Sequence, residues 1–208
     1  VMSVPLAVLL GVVAALKRDT WLDHLISVTS LALVGLPEFV TGLVLIGVFA
    51  LVFKLFPASS AIEPGSGFFD ALPRLILPAM TITLVLLAYV ARMTRSSTSE
   101  VLRTDYTRTA YLKGLPRHEV LFNHVLRNAL LPTVTIIAIS IGWLIGGLIV
   151  TESVFGYPGV GRLLLYAIQR RDLPLLQAVS MLVVTIYSVA NLLADVLYAY
   201  LNPRIRLG

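Results

Sequence analysis

The stretch from Thr133 to Val150 reads TVTIIAISIGWLIGGLIV and carries no charged residue. Such a run has to be buried, and its length sets where. The hydrocarbon core of a bilayer is about 30 Å thick and takes roughly 20 apolar residues in a helix to cross. The run belongs to a candidate span from Leu130 to Val150, and four more apolar stretches lie at Val1–Leu16, Leu25–Phe53, Leu75–Val90 and Leu175–Leu201. The chain is 58% hydrophobic and 13% charged, against about a quarter charged in an ordinary soluble domain. Membrane barrels alternate apolar and polar residues in segments of about ten, whereas Leu84–Val90 reads LVLLAYV without alternation. The expected fold class is therefore all-α: a polytopic membrane helix bundle of about five transmembrane helices.

The runs differ in what interrupts them. Leu25–Phe53 is too long for one upright helix, and Pro37 sits in its middle. Proline removes a backbone donor and kinks a helix, so a kinked or steeply tilted span is expected there. Pro78 lies near the entry of the third span. Gly142 and Gly146 form a GxxxG pair in the fourth, a spacing that lets helix backbones approach closely. Val1 lies within an apolar stretch with no basic region before it, which reads as an N-terminally truncated chain, not a signal peptide. One further upstream span would bring the total to six.

Charge orients the helices. The loops after spans one and three and the C-terminal tail hold Lys17, Arg18, Arg92, Arg95, Arg103, Arg108, Lys113, Arg117, Arg127, Arg204 and Arg206. The other side holds Lys54, Arg74, Arg162, Arg170 and Arg171. Basic residues favour cytoplasmic loops, so the larger group and the C-terminus are placed inside. The net charge of +5 then reflects membrane topology, and nucleic acid is not an expected partner.

Two connections are long. The external one, Thr151–Leu173, contains Gly156-Tyr157-Pro158-Gly159-Val160-Gly161 followed by GRLLLYAIQRR, which reads as a turn and a short amphipathic helix. The cytoplasmic one, 92–128, far exceeds the usual helix–helix connection of about 2–8 residues. In it, Thr104 or Asp105 is placed to cap a helix through Tyr106, Arg108, Ala110 and Lys113. Gly114 ends that helix in the left-handed conformation. Leu115-Pro116 opens a second helix to about Asn128, with Pro116 in its first turn and with Val120, Leu121, Val125 and Leu126 at helical spacing.

This loop resembles the cytoplasmic loop of ABC-importer inner-membrane permeases of the dipeptide/oligopeptide/nickel branch. The DYxRTAxxKGL block appears as Asp105-Tyr106-Thr107-Arg108-Thr109-Ala110-Tyr111-Leu112-Lys113-Gly114-Leu115, and HxLRNALLP as His124–Pro132. ExxFxxPGxGRLL runs from Glu152 to Leu164, and NLxxDxxYxxLxPRIR from Asn191 to Arg206. Arg108 and Thr109 replace the first two residues of the wider superfamily's EAA triplet, as is usual in this branch. The resemblance implies a multi-pass subunit of a bacterial inner membrane, translocating di- or oligopeptides, with nickel chelates, glutathione or opines as alternative substrates. It also implies its partners: cytoplasmic ATPase subunits, a second homologous permease subunit and an external solute-binding protein, all around the lipid bilayer. ATP is bound by the ATPases, and no cofactor is expected on this chain. The coupling residues implied are Asp105, Tyr106, Arg108, Thr109, Ala110, Lys113, Gly114 and Leu115. Ala110 and Gly114 would allow close docking, Tyr106 an aromatic anchor, and Arg108 and Lys113 pairs with acidic groups. Glu152, Pro158 and Arg162 are candidates for an external gate or a contact with the binding protein, or else form a plain structural turn with solvated charges.

The residues themselves exclude other chemistries. No GxxxxGK[ST] phosphate loop is present, so the chain is not expected to hydrolyse ATP. His118-Glu119 begins like HExxH, but position 122 is Phe and His124 falls two residues late, so no metal site is expected. Ser96-Ser97 has no His–Asp arrangement nearby. The chain has no cysteine, hence no disulfide. Two acids lie within apolar spans, where charge is costly and marks either function or a specific partner. Glu38 follows Pro37, as a residue lining the pathway or as a structural acid bonded to freed backbone groups. Asp195, one turn after Asn191, reads as a helix–helix hydrogen-bonding residue. An ion-coupled secondary transporter would show internal repeats or charged midplane sites; no repeat is evident, and the long loop would have no purpose. Interrupted spans also argue against an inert membrane scaffold.

Overall fold

The computed structural model describes residues 3–62, 65 and 67–201, with side chains at all of these except 138, 141–146, 194, 195 and 197–201. The expectations for Gly142, Gly146 and Asp195 and for the basic tail thus lie outside the described residues. Among the described residues all regular structure is helical. In chain order it comprises α1 (Ser3–Leu16), α2 (Trp21–Gly35), α3 (Glu38–Leu45, continued as a π-helix Ile46–Val52), α4 (Phe68–Leu102), α5 (Asp105–Leu112), α6 (Arg117–Glu119, continued as a π-helix Val120–Leu126), α7 (Arg127–Phe155), α8 (Val160–Arg170) and α9 (Leu173–Leu201).

Three stretches among the described residues are long and apolar enough to cross a bilayer, within Phe68–Leu102, Arg117–Ile137 and Leu173–Leu193, and α2 with α3 forms a fourth as a broken pair. Of the first expected span the structure describes the 14 residues of α1, about 21 Å at 1.5 Å per residue. Pro37 breaks the second run outright, standing just before α3 with extended backbone (φ −57°, ψ 141°). Pro73 and Pro78, by contrast, lie inside α4. That helix also runs on through Ser96–Leu102, so the cytoplasmic connection begins in helix.

The chain divides into two compact units. The first comprises Val1–Val34, Leu86–Ile139 and Ala194–Gly208. Its core is built on Ala7, Val90 and Ala91, with Leu87 and Ile137 packed against them. Gly11 makes the α1–α4 crossing possible, since a Cβ there would stand 2.5 Å from the Ala91 carbonyl oxygen. Hydroxyls stitch α4 to α7: Thr94 and Thr133 share a hydrogen bond of 3.2 Å, and Ser97 donates to the Ala129 carbonyl at 2.7 Å. Asp23 of α2 is 1% exposed and accepts two hydrogen bonds from the Arg95 guanidinium, at 2.5 and 2.7 Å.

The second unit comprises Gly35–Val85 and Ser140–Leu193. Leu45, Leu77 and Phe155 form its centre, with Phe49, Phe56 and Met80 around them. Gly42 leaves room for the Phe155 ring, which a Cβ would approach to 3.2 Å. The irregular segment before α4 is tied down at Ser60, whose N–H donates to the Phe155 carbonyl at 2.7 Å and whose hydroxyl donates to the Arg74 carbonyl. Only 6% of the apolar window of α9 is buried. Its outward Met181, Leu182, Val184 and Ile186 present the kind of face that lipid or another apolar surface covers.

Candidate functional site

The cytoplasmic connection folds as a small unit with its own core. Thr104 is the N-cap of α5, accepting from the Thr107 N–H. The Thr107 hydroxyl donates to the Val101 carbonyl at 2.8 Å and fastens the helix to the end of α4. At the other end the chain makes a Schellman closure. Gly114 N–H donates to the Tyr111 carbonyl at 3.0 Å and Leu115 N–H to the Ala110 carbonyl at 3.4 Å, the bond pair that ends a helix through a left-handed residue. Gly114 is that residue, with φ +78°. Pro116 occupies the cap position before α6, one place earlier than its expected first-turn position.

The second loop helix departs from the expected α pattern. Residues 120–126 form a π-helix, whose i→i+5 bonding stacks Val120 over Val125. Both are fully buried and pack with Ala110, while Val101, Leu102, Leu115 and Leu121 close the cluster. Ala110 therefore faces inward, 5% exposed. Its small side chain serves the packing of α5 on the π-turn, not an outside partner. Leu115 likewise belongs to this inner cluster.

The outward face consists of Asp105, Tyr106, Arg108, Thr109, Tyr111, Leu112 and Lys113, all exposed, as is Gly114 at the turn. Asp105 stands in the first turn, where a carboxylate complements the helix dipole. The Thr109 hydroxyl turns back to the Asp105 carbonyl at 2.8 Å. Tyr106 is held from behind: its hydroxyl shares a hydrogen bond of 2.6 Å with His124 Nδ1. Leu112 is 78% exposed, an aliphatic side chain on an outward face of tyrosines and polar residues. Sequence reading gave Leu112 no role of its own and weighed His124 only as a metal ligand, which it rejected. The signal for Leu112 was its place outside the helical stripe that contains Thr107 and Ala110. The Tyr106–His124 bond, between residues 18 positions apart, left no local pattern.

The external candidates meet in one turn. Glu152, at the end of α7, is 6% exposed and its carboxylate accepts the Arg162 backbone N–H at 2.8 Å. It thus caps the N-terminus of α8, which has no side-chain cap of its own at Gly159. The glycines make this possible: a Cβ on Gly159 would collide with the Glu152 carboxylate, and one on Gly161 would lie 2.6 Å from Ile149 Cα. The Arg162 guanidinium reaches back to the Gly156 carbonyl at 2.7 Å, and Gly156 has φ +69°. Pro158 is exposed at the apex, between Tyr157 and Gly159, whose carbonyl and N–H close a tight turn at 2.9 Å.

Glu38 begins α3 and meets α7. Its Oε1 accepts from the buried Thr151 hydroxyl, and its Oε2 lies where a Cβ on Gly147 would come within 2.5 Å. Of its two expected roles, the structural acid finds a partner here, a hydroxyl of another helix in place of freed backbone groups. Among the described residues no group of three His, Cys, Asp or Glu side chains could hold a metal ion.

Comparison with known proteins gives this arrangement a context. The family model described as "Binding-protein-dependent transport system inner membrane component" matches residues 7–207. The chain is 43% identical over 218 residues to the di/tripeptide transport system permease protein DppB of Pseudomonas aeruginosa, covering 95% of this chain and 65% of that protein. It is 42% identical over 221 residues to the dipeptide transport system permease protein DppB of Escherichia coli, covering 94% of this chain and 65% of that protein. The probable peptide ABC transporter permease protein y4tP of Sinorhizobium fredii is 39% identical over 206 residues, covering 99% of this chain and 66% of that one. The chain thus spans just under two thirds of the length of these relatives. A match over nearly the whole chain, on a framework of apolar helices, establishes that it belongs to the family of binding-protein-dependent transport system inner membrane components.

Proposed function

We propose that this chain is the membrane-spanning permease subunit of an ABC importer that carries di- or oligopeptides inward, with ATP hydrolysed by separate cytoplasmic subunits. The observation that carries this reading is the outward face of α5. A short helix is anchored on its inner side by Thr107 and Ala110 and presents Tyr106, Tyr111 and Leu112 outward beside Arg108 and Lys113. Aromatic and large apolar side chains ringed by polar ones are the usual makeup of a protein-binding hot spot. A cation on either side suits an acidic rim on the partner. The peptide substrate rests on the three relatives above, each of which is named for peptide transport.

In this scheme the ATPase groove grips α5 from outside. Force then passes through the Schellman turn and the Ala110–Val120–Val125 core into α6 and α7. A π-helix at that junction is an apt transmitter, because its hydrogen-bond register differs from that of the α-helix it feeds. The external turn, with Glu152 locked under α8 and Pro158 at the apex, is the surface offered to a solute-binding protein. A second permease subunit would complete the path.

The test is uptake of a labelled dipeptide by cells carrying the full-length protein with its partner subunits, compared with Gly114→Asp. A Cβ at Gly114 meets nothing within 4 Å, and Asp tolerates the left-handed region better than most residues. The variant should therefore insert normally, lose ATPase recruitment and stop importing. Normal uptake by the variant would overturn the docking role. Uptake of a nickel chelate, glutathione or an opine in place of peptides would keep the architecture and change the substrate.

A further inference from the structure

Two arginines follow the apolar run of α4, and their circumstances are opposite. Arg95 is neutralised by the bidentate pair with buried Asp23, and Asp23 is further engaged by the Ser27 hydroxyl at 3.2 Å. Arg92, three residues earlier and exposed, has no such counterpart. Among the described residues the ion pairs are Arg95–Asp23 and Arg18–Asp19. A guanidinium carries five N–H donors in a planar fork, and among the described residues no protein acceptor meets those of Arg92. Hollows lie on both sides of it. One, of about 270 Å³, is lined by Ser27, Leu31, Arg92, Arg95 and Ser96. The other, of about 280 Å³, is lined by Tyr89, Arg92, Met93, Ser96 and Ile136.

We propose that the Arg92–Ser96 ridge binds the phosphate of an anionic phospholipid of the cytoplasmic leaflet. Three observations converge on a lipid. The first is charge: with Arg95 and Asp23 cancelled, the ridge keeps one uncompensated cation, and basic pockets between membrane helices on the cytoplasmic side suit anionic headgroups. The second is depth. Trp21 opens α2 beside Lys17 and Arg18 and is largely exposed, as an interfacial tryptophan is. The Asp23–Arg95 pair ties α4 to that level, and Arg92 lies about 4.5 Å further along the helix, within snorkelling reach of the headgroups. The third is continuity. Trp21, Leu25, Val28 and Leu31 form one outward apolar stripe on α2, each more than half exposed, and Leu31 is also a wall of the first hollow. The phosphate meets the Arg92 fork and the Ser96 hydroxyl, while Leu31 on one side and Met93 and Ile136 on the other border the acyl chains.

The test uses the complete importer complex with the full-length chain, purified with Arg92→Gln, Arg92→Lys or Arg117→Gln. Each is exchanged into nanodiscs of phosphatidylcholine with and without phosphatidylglycerol, then stripped gently and weighed by native mass spectrometry. Wild type and Arg117→Gln should retain phosphatidylglycerol. Arg92→Gln should bind it about fivefold more weakly, with Arg92→Lys in between. Inorganic phosphate should not displace it. Equal retention by Arg92→Gln would overturn the proposal. So would displacement by inorganic phosphate alone, which would mark a free-anion site, or cross-linking of a cysteine at position 92 to another subunit in place of a photoactivatable lipid.

Discussion

The α5–Gly114–α6 turn and the α7–Gly156–α8 turn both bend at a left-handed glycine, yet the external corner uses further glycines for a second reason. At Gly114 the requirement is conformational: φ is +78° and the space where a side chain would go is open. At Gly159 and Gly161 the requirement is spatial: the Glu152 carboxylate and the α7 backbone already occupy the positions of the missing Cβ atoms. The external turn has turned its acid inward and spends it on its own helix. The cytoplasmic turn has packed its small residues inward and left its large and charged ones facing out. The first corner is closed on itself; the second presents the face that the proposed docking would use.

The contrast can be broken at its strongest point first. Gly161→Ala sets a methyl group against α7 backbone that cannot yield, and overpacking of this kind costs about 1–3 kcal/mol. Heating the detergent-solubilised complex and measuring the soluble fraction should show the largest loss of stability of any variant considered. An unchanged melting profile would mean the α7–α8 corner is loose. Next, Leu112→Asp should weaken ATPase association by about 2 kcal/mol or more, the scale of an interface hot spot, while leaving thermal stability intact. Co-purification separates the two effects, and a stability loss equal to that of Gly161→Ala would mean Leu112 is buried by the chain's own residues.

The conformational glycine should respond in graded fashion. Gly114→Ala places a Cβ in the left-handed region and should cost about 1 kcal/mol, with Gly114→Asn costing less, since Asn visits that region more readily. A reverse order would mean that space, not backbone angle, is limiting there. The smallest effect belongs to the cap: Thr104→Ala should cost about 0.5–1 kcal/mol of loop stability, read as faster hydrogen exchange confined to α5. Exchange that quickens along all of α4 as well would show the Thr107–Val101 fastening to be secondary to the cap.

Much of this was legible in the residues. Unbroken apolar runs announced membrane helices, and Gly114 announced the end of α5, because hydrophobic continuity and left-handed glycine are local properties. What escaped was set by partners distant in the chain. The run Ser96–Ser99 looks like a loop but stays helical, with Ser97 donating its hydroxyl to the Ala129 carbonyl of α7. The third span was expected from Leu75 with Pro78 near its entry, yet α4 begins at Phe68 and takes both Pro73 and Pro78 inside it. Ala110 read as a small residue awaiting a partner and proved to be half of an internal contact, because the π-turn brings Val120 and Val125 onto one side. The buried Asp23–Arg95 pair, 72 residues apart, has no sequence signal. Of the gate candidates, Glu152 and Arg162 are drawn into holding the turn itself, and Pro158 stays exposed.

The central claim is that force from nucleotide hydrolysis enters this protein through the outer face of α5. The most direct measurement is site-specific photo-cross-linking from position 112 in the assembled complex, with and without ATP. The account predicts adducts with an ATPase subunit in both states, shifted in position between them. Labelling by solvent alone in both states, with the complex intact and importing, would contradict it.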